Sequence, residues 1–145
     1  KEGSDDLRLV TERARALGAF LNSEDGENLL QGFKRANNIL SQAEEQDGVK
    51  YSFGADEKFA QMDEEKVLFK VLKSVTSVII AALENDDFQV AMEHLAKLRR
   101  PVDGFFEAVQ VNTDNVVLRR NRLNLLSEIR TICLSVADLS LIEGS

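Results

Sequence analysis

The stretch RRPVDGFFEAVQVNTDNVVLRRNRLNLLSEIRTICLSVADLSL, residues 99–141, decides how the rest of the 145-residue chain is read. Leu118, Arg122, Leu125, Ile129, Ile132 and Val136 recur at helical spacing and so share one stripe of a long last helix, from 115 to about 139. Asn112-Thr113-Asp114 supplies the turn and N-cap before it. Pro101, the only proline, suits the first turn of a short preceding helix, because the amide it lacks has no partner there. Arginines are set into this apolar pair at high density. Arg119, Arg120 and Arg122 fall within four residues, on a segment that otherwise reads as core. Such a core either pairs its arginines internally or offers them to an anion.

The three arginines separate by face. Arg122 lies on the apolar stripe, where an unpaired charge is costly, so it is expected to pair with Asp103 or with a helix-end carbonyl. Arg120 shares a polar stripe with Asn124, Ser127 and Thr131 and is expected to be exposed. Arg119 lies between the two and could reach a ligand from the edge of the bundle.

Upstream, the same periodicity continues. A first helix is expected after Ser4, with Asp5 and Asp6 in its first turn and Leu7, Val10, Ala14, Leu17 and Leu21 as its apolar stripe. Residues 22–26, NSEDG, read as a break. A second helix over about 27–45 buries Leu29, Leu30, Phe33, Ala36, Leu40 and Ala43. Residues 46–61, with Gly48 and Gly54, show no period and read as a loop. Asp63 caps a third helix with a broad apolar face that includes Val67, Leu68, Leu72, Val75 and Ile79. Lys66, Lys70, Lys73 and Ser77 form its wet stripe. Residues 85–87 end that helix and cap a fourth, which runs to about 99. The expectation is an all-α fold, one antiparallel bundle of five to six helices, with residues 1–145 forming a single domain. A first residue that is not methionine suggests a piece of a longer protein.

Composition narrows the function. No apolar run is long enough to span a membrane, so no membrane partner is expected. A net charge of −7 argues against nonspecific nucleic-acid binding, DNA included. The charge is uneven, however: residues 97–130 hold seven basic groups against four acidic ones, while residues 1–96 hold eleven against nineteen. A basic patch on an acidic body suits a specific anionic partner. Catalysis is not indicated. His94 has no His or Cys at metal spacing, and Cys133 lies near the core stripe and should behave as a small hydrophobe. No phosphate-cradling glycine loop is present, and Glu64 and Glu65 read as favourable charge at a helix N-terminus.

The second helix carries FKRANNIL. Gln31, Arg35, Asn38 and Gln42 form one stripe of directional donors and acceptors, flanked by Lys34 and Ser41. Such side chains hydrogen-bond to base edges and phosphates. Tyr51 and Phe53, in the irregular loop, are the aromatics outside the apolar stripes and the candidates for base stacking.

FKRANNIL together with RPVDGFFEAVQVNTDNVVLRRNRLNLL and VADLSLI resembles the C-terminal anticodon-binding domain of the bacterial glycyl-tRNA synthetase beta subunit, of the wider DALR group. The likeness spans nearly the whole chain from VTERARAL onward. Arg119 and Arg122 occupy the fixed positions of its LRxNRL motif and Arg120 the variable one. The resemblance implies a cytoplasmic α2β2 ligase that charges glycine tRNA using ATP and Mg2+, with glycine activation in the alpha subunit. The fragment itself would hold no catalytic residue, metal or cofactor. It further implies that Lys34, Arg35 and Asn38 face the anticodon stem-loop. Arg119, and more weakly Arg120, would contact phosphates, with Arg13 and Arg99 as lesser candidates. Arg122 and Asp103 form a structural ion pair in this scheme. The competing expectation is a structural bundle that docks the alpha subunit or the body of the beta subunit.

Overall fold

A computed structural model describes the backbone of residues 3–52 and 54–144, and the side chains of 8–9, 11–52 and 54–136. Six α-helices follow in order: α1 (Gly3–Leu21), α2 (Glu24–Asp47), α3 (Asp63–Glu84), α4 (Phe88–Ala96), α5 (Arg99–Ala108) and α6 (Val116–Gly144). A 3-10 turn, Glu57–Phe59, interrupts the segment between α2 and α3. No strand occurs among the described residues. α6 packs against α1, α2 and α3, and α3 also packs against α4 and α5, so the expected helical bundle is present.

The helix ends follow from capping chemistry, and in three places the caps sit one or more residues from their expected positions. Ser23 is the N-cap of α2 and its Oγ accepts from the Gly26 amide at 3.1 Å, with Glu24, Asp25 and Glu27 in the first turn. The break after α1 is therefore only Asn22 and Ser23, and α2 starts three residues earlier than its apolar period. The Asn115 carboxamide accepts from the Val117 and Leu118 amides at 3.1 Å, so Asn115 rather than Asp114 caps α6. Met62, not Asp63, precedes α3, and the Glu65 carboxylate reaches back to accept from the Met62 amide. At the other end of α2, Gly48 adopts φ 68°, a left-handed C-cap that glycine takes without strain.

Leu40, Leu68, Ile79, Phe105, Leu125 and Ile129 are fully enclosed at the centre. Two apolar faces are narrower than the sequence implies. Leu30 and Phe33 are only half-buried, because the buried line of α2 runs through Leu29, Ala36, Leu40 and Ala43. On α3, Val67 is 48 % exposed, off the line through Leu68, Leu72, Val75 and Ile79. Leu7 and Val10 lie outside the described side chains.

α6 departs from expectation in the opposite sense. Asn121 to Ser127 are all buried, including the polar Asn124 and Ser127, because α1, α2 and α3 together enclose the middle of the helix. Arg120 and Thr131, at the two ends of that polar stripe, are exposed. The buried polar groups tie down the segment between α2 and α3. The Asn121 carboxamide accepts from the Asp56 amide at 2.7 Å and donates to the Asp56 carbonyl at 3.1 Å. The Glu128 carboxylate accepts from the Ala55 amide at 2.8 Å. The segment without sequence period is thus held by side chains of α6 in place of a ladder of its own.

Arg122 is buried as its stripe requires, but its partner is not Asp103. Its Nη2 donates to Glu65 at 2.9 Å and its Nη1 to the Gln110 carbonyl, just past the end of α5, at 2.7 Å. Glu65 is fully enclosed and also accepts from the Gln61 amide at 3.2 Å. It is an interior counter-ion, not a solvated first-turn acid. Asp103 instead pairs with Arg99, four residues before it on the same helix, at 3.6 Å. That spacing keeps the Asp103 carboxylate beside α5, at the bundle surface and partly exposed.

Candidate nucleic-acid interface

One cleft gathers residues from the two stretches singled out in the sequence. Its volume is about 320 Å3, and it lies between α2, the C-terminal end of α5, residues 109–112 and the first turns of α6. Arg35, Ile39, Gln42 and Gln46 form the α2 wall, at spacings of four, three and four residues. Phe106, Asn112 and Arg119 form much of the opposite wall.

Arg35 is exposed, yet its guanidinium lies 4.7 Å from the centre of the Phe106 ring. Phe106 in turn meets the enclosed Phe105 edge-on, with centroids 5.6 Å apart and planes at 74°. The arginine therefore rests on an aromatic face anchored in the core, and no carboxylate neutralises it among the described residues. Across the cleft, Arg119 is held on two edges. Its Nη1 donates to Asp47 at 2.8 Å, and its Nε donates to the Asn112 carboxamide at 2.9 Å. Tyr51 donates its hydroxyl to the same Asp47 carboxylate at 2.6 Å. Hydrogen bonds from Tyr51, then from Arg119, hold the Asp47 carboxyl below the usual carboxylate range. Burial, and then the bond to Asp47, push the Tyr51 hydroxyl up. Asp47 also raises Arg119, which stays fully charged.

The sequence-predicted residues thus divide. Arg35 and Arg119 converge on the cleft. Lys34 and Asn38 are exposed on α2 next to Arg35, outside the cleft lining, and Arg120 is exposed next to Arg119. Arg13 sits elsewhere, 3.4 Å from Asp86 and over the Phe88 ring. Arg99 is bound by Glu24, Asp25 and Asp103 at 3.6, 2.8 and 3.6 Å, so its charge is internally met at the α2–α5 contact. Tyr51 is buried and hydrogen-bonded, which removes it as an exposed stacking surface. Phe53 lies outside the described residues.

Sequence reasoning missed Phe106, Asn112 and Asp47. The stripe holding Arg35 and Gln42 carries part of the signal, but Gln46 reads as the start of a loop and the apolar stripe of α5 hides Phe106. Elsewhere, the His94 ring nitrogen bonds the Val90 carbonyl at 3.0 Å, and burial pushes the Cys133 thiol up to about 12. No group of three or more His, Cys, Asp or Glu side chains arranged to hold a metal occurs among the described residues. No described helix is long and apolar enough to cross a membrane.

The profile of the DALR anticodon binding domain matches residues 29–139, which include both walls of the cleft. The chain is 66 % identical over 143 residues to the glycine–tRNA ligase beta subunit of a Ruegeria species, covering 99 % of this chain and 21 % of that protein. It is 64 % identical to the protein of the same name from Dinoroseobacter shibae, again over 99 % of this chain and 20 % of the relative. The corresponding Paracoccus denitrificans protein is 58 % identical over 98 % of this chain and 21 % of its own length. The chain therefore spans about a fifth of the length of these relatives. The likeness in FKRANNIL and LRRNRL and the bundle architecture lead to the same assignment: the chain belongs to the DALR anticodon-binding domain family.

Proposed function

We propose that this domain binds the anticodon stem-loop of glycine tRNA as part of a glycine–tRNA ligase beta subunit. The single observation that carries the reading is the cleft itself, where an unneutralised Arg35 on an aromatic support faces a fixed Arg119 in a DALR-family domain. Loop bases are unstacked and can be read on their edges, and the Gln42, Gln46 and Asn112 carboxamides provide matching donors and acceptors. In this reading Lys34 and Arg120, both exposed, meet backbone phosphates, and the exposed Asn38 meets a sugar or base edge. Arg13 and Arg99 take structural roles in this scheme because carboxylates already occupy them. The parent enzyme would be a cytoplasmic α2β2 ligase. Its alpha subunit would activate glycine with ATP and Mg2+, and this domain would contribute no catalytic group.

Lys34→Ala combined with Arg35→Ala is expected to weaken tRNA binding at least tenfold while lowering the thermal melt only slightly, since both side chains are exposed and the Arg35–Phe106 contact is worth about 0.5–1 kcal/mol. Each lost phosphate contact should also flatten the salt dependence by about one unit of slope. Fluorescence anisotropy across a salt series measures both. Unchanged affinity and slope would remove the cleft from the function.

A second surface favours docking to the rest of a longer synthetase. An apolar hollow of about 670 Å3 between α1 and α4 is floored by Ala16, Phe20, Phe88 and Met92 and shares no lining residue with the cleft. The two roles would use different residues.

A further inference from the structure

Arg119 carries five N–H donors in a rigid plane. Nε is taken by Asn112 at 2.9 Å, and Nη1 by Asp47 at 2.8 Å with the Tyr51 oxygen at 3.4 Å. Among the described residues nothing takes Nη2, which is not buried, and the side chain lines the cleft. The guanidinium is thus clamped along two edges and presents the third. Asp47 is itself clamped: the left-handed turn at Gly48 brings Tyr51 back onto α2, where its amide donates to Glu44 at 3.0 Å and its hydroxyl to Asp47 at 2.6 Å. Asp47 also cancels the charge of Arg119. A cation fixed in direction and neutralised in charge is poorly suited to phosphate and well suited to a single uncharged acceptor.

From this geometry we infer that Asp47 and Tyr51 are positioning residues that turn Arg119 into a directional donor for one carbonyl or ring-nitrogen acceptor of an unpaired base. This replaces the phosphate contact expected of Arg119. It rests on the proposed binding of the stem-loop in the cleft. The two arginines then divide the work: Arg35, unneutralised, supplies sequence-independent affinity, and Arg119 supplies discrimination.

The test uses the whole 145-residue chain and labelled anticodon stem-loops of glycine tRNA, the natural one and versions with each loop base replaced in turn, across a salt series. One replacement should weaken binding to the unmodified chain about tenfold, the scale of a lost base contact. In Asp47→Asn, which keeps an acceptor oxygen but removes the charge, that penalty should fall to about twofold while the salt slope steepens by up to about one unit. Tyr51→Phe should reduce discrimination without moving the slope. Arg35→Ala should weaken every stem-loop equally. If Asp47→Asn discriminates as well as the unmodified chain, or binds every loop more tightly by one factor, Asp47 is a competitor or a bystander and the inference is overturned. If the unmodified chain binds no stem-loop, or Arg35→Ala changes nothing, the cleft assignment itself falls and this inference with it.

Discussion

Replacing Glu65 with alanine is expected to destabilise the fold by about 3–5 kcal/mol, the range for removing one partner of a buried ion pair. Glu65 has no exposed surface and accepts from Arg122 at 2.9 Å and from the Gln61 and Met62 amides at 3.2 and 3.1 Å. Its loss strands the guanidinium of Arg122, a residue only 6 % exposed, in the middle of the bundle, with the Gln110 carbonyl its one remaining partner among the described residues. It also releases the start of α3. The pair is not perfectly satisfied, since the second Glu65 oxygen and the Arg122 Nε have no partner among the described residues. A double replacement, Glu65→Leu with Arg122→Met, should therefore cost less than Glu65→Ala alone. Urea unfolding of the two variants and the unmodified chain provides the comparison. A loss below about 1 kcal/mol for the single variant would mean that solvent reaches Arg122.

Gly26→Ala is expected to be nearly as damaging, at about 3 kcal/mol, by overpacking against backbone. A Cβ on Gly26 would lie 1.8 Å from the Phe20 carbonyl oxygen and 2.6 Å from its carbon. That carbonyl cannot retreat freely, because it accepts from the Ser23 amide at 3.0 Å and from the Ser23 hydroxyl. Moving it would undo the α2 cap as well as the α1–α2 corner. Gly18 offers the matched control. A Cβ there meets nothing within 4 Å, so Gly18→Ala should stabilise α1 by up to about 1 kcal/mol. Opposite signs for the two Gly→Ala changes in thermal melts are the expected result. Equal effects would contradict the tight corner.

Helical periodicity made the architecture legible. The α6 stripe placed Arg122 in the core without any knowledge of its neighbours. The carbonyl just past the end of α5 was within expectation, but the charged partner of Arg122 was not legible. Glu65 precedes it by 57 residues and sits in a first turn, where acids are ordinarily solvated. Asn124 and Ser127 misled for a related reason: a polar stripe predicts exposure only when one side of the helix is free, and α6 is enclosed by three others. Cap positions slipped by one residue where two capping side chains stood in series, as at Asp114 and Asn115.

The cleft was half legible. Arg119 was picked out by arginine density on an otherwise apolar helix and Arg35 by the polar stripe it shares with Gln31, Asn38 and Gln42, and the two do converge. Asp47, in a stretch without period, and Phe106, read as core, could not be assigned to the site without the three-dimensional pairing of α2 with α5 and α6. The same pairing shows that, of the two arginines, only Arg35 keeps its charge unopposed among the described residues.

The central claim is that RNA enters between Arg35 and Arg119. Titrating the isotopically labelled chain with the anticodon stem-loop and following backbone and arginine side-chain NMR signals tests it most directly. Saturable shifts should cluster on Arg35, Gln42, Gln46, Phe106, Asn112 and Arg119 and leave Phe20, Phe88 and Met92 unmoved. Shifts centred on the α1–α4 hollow, with Arg35 and Arg119 silent, would contradict the account.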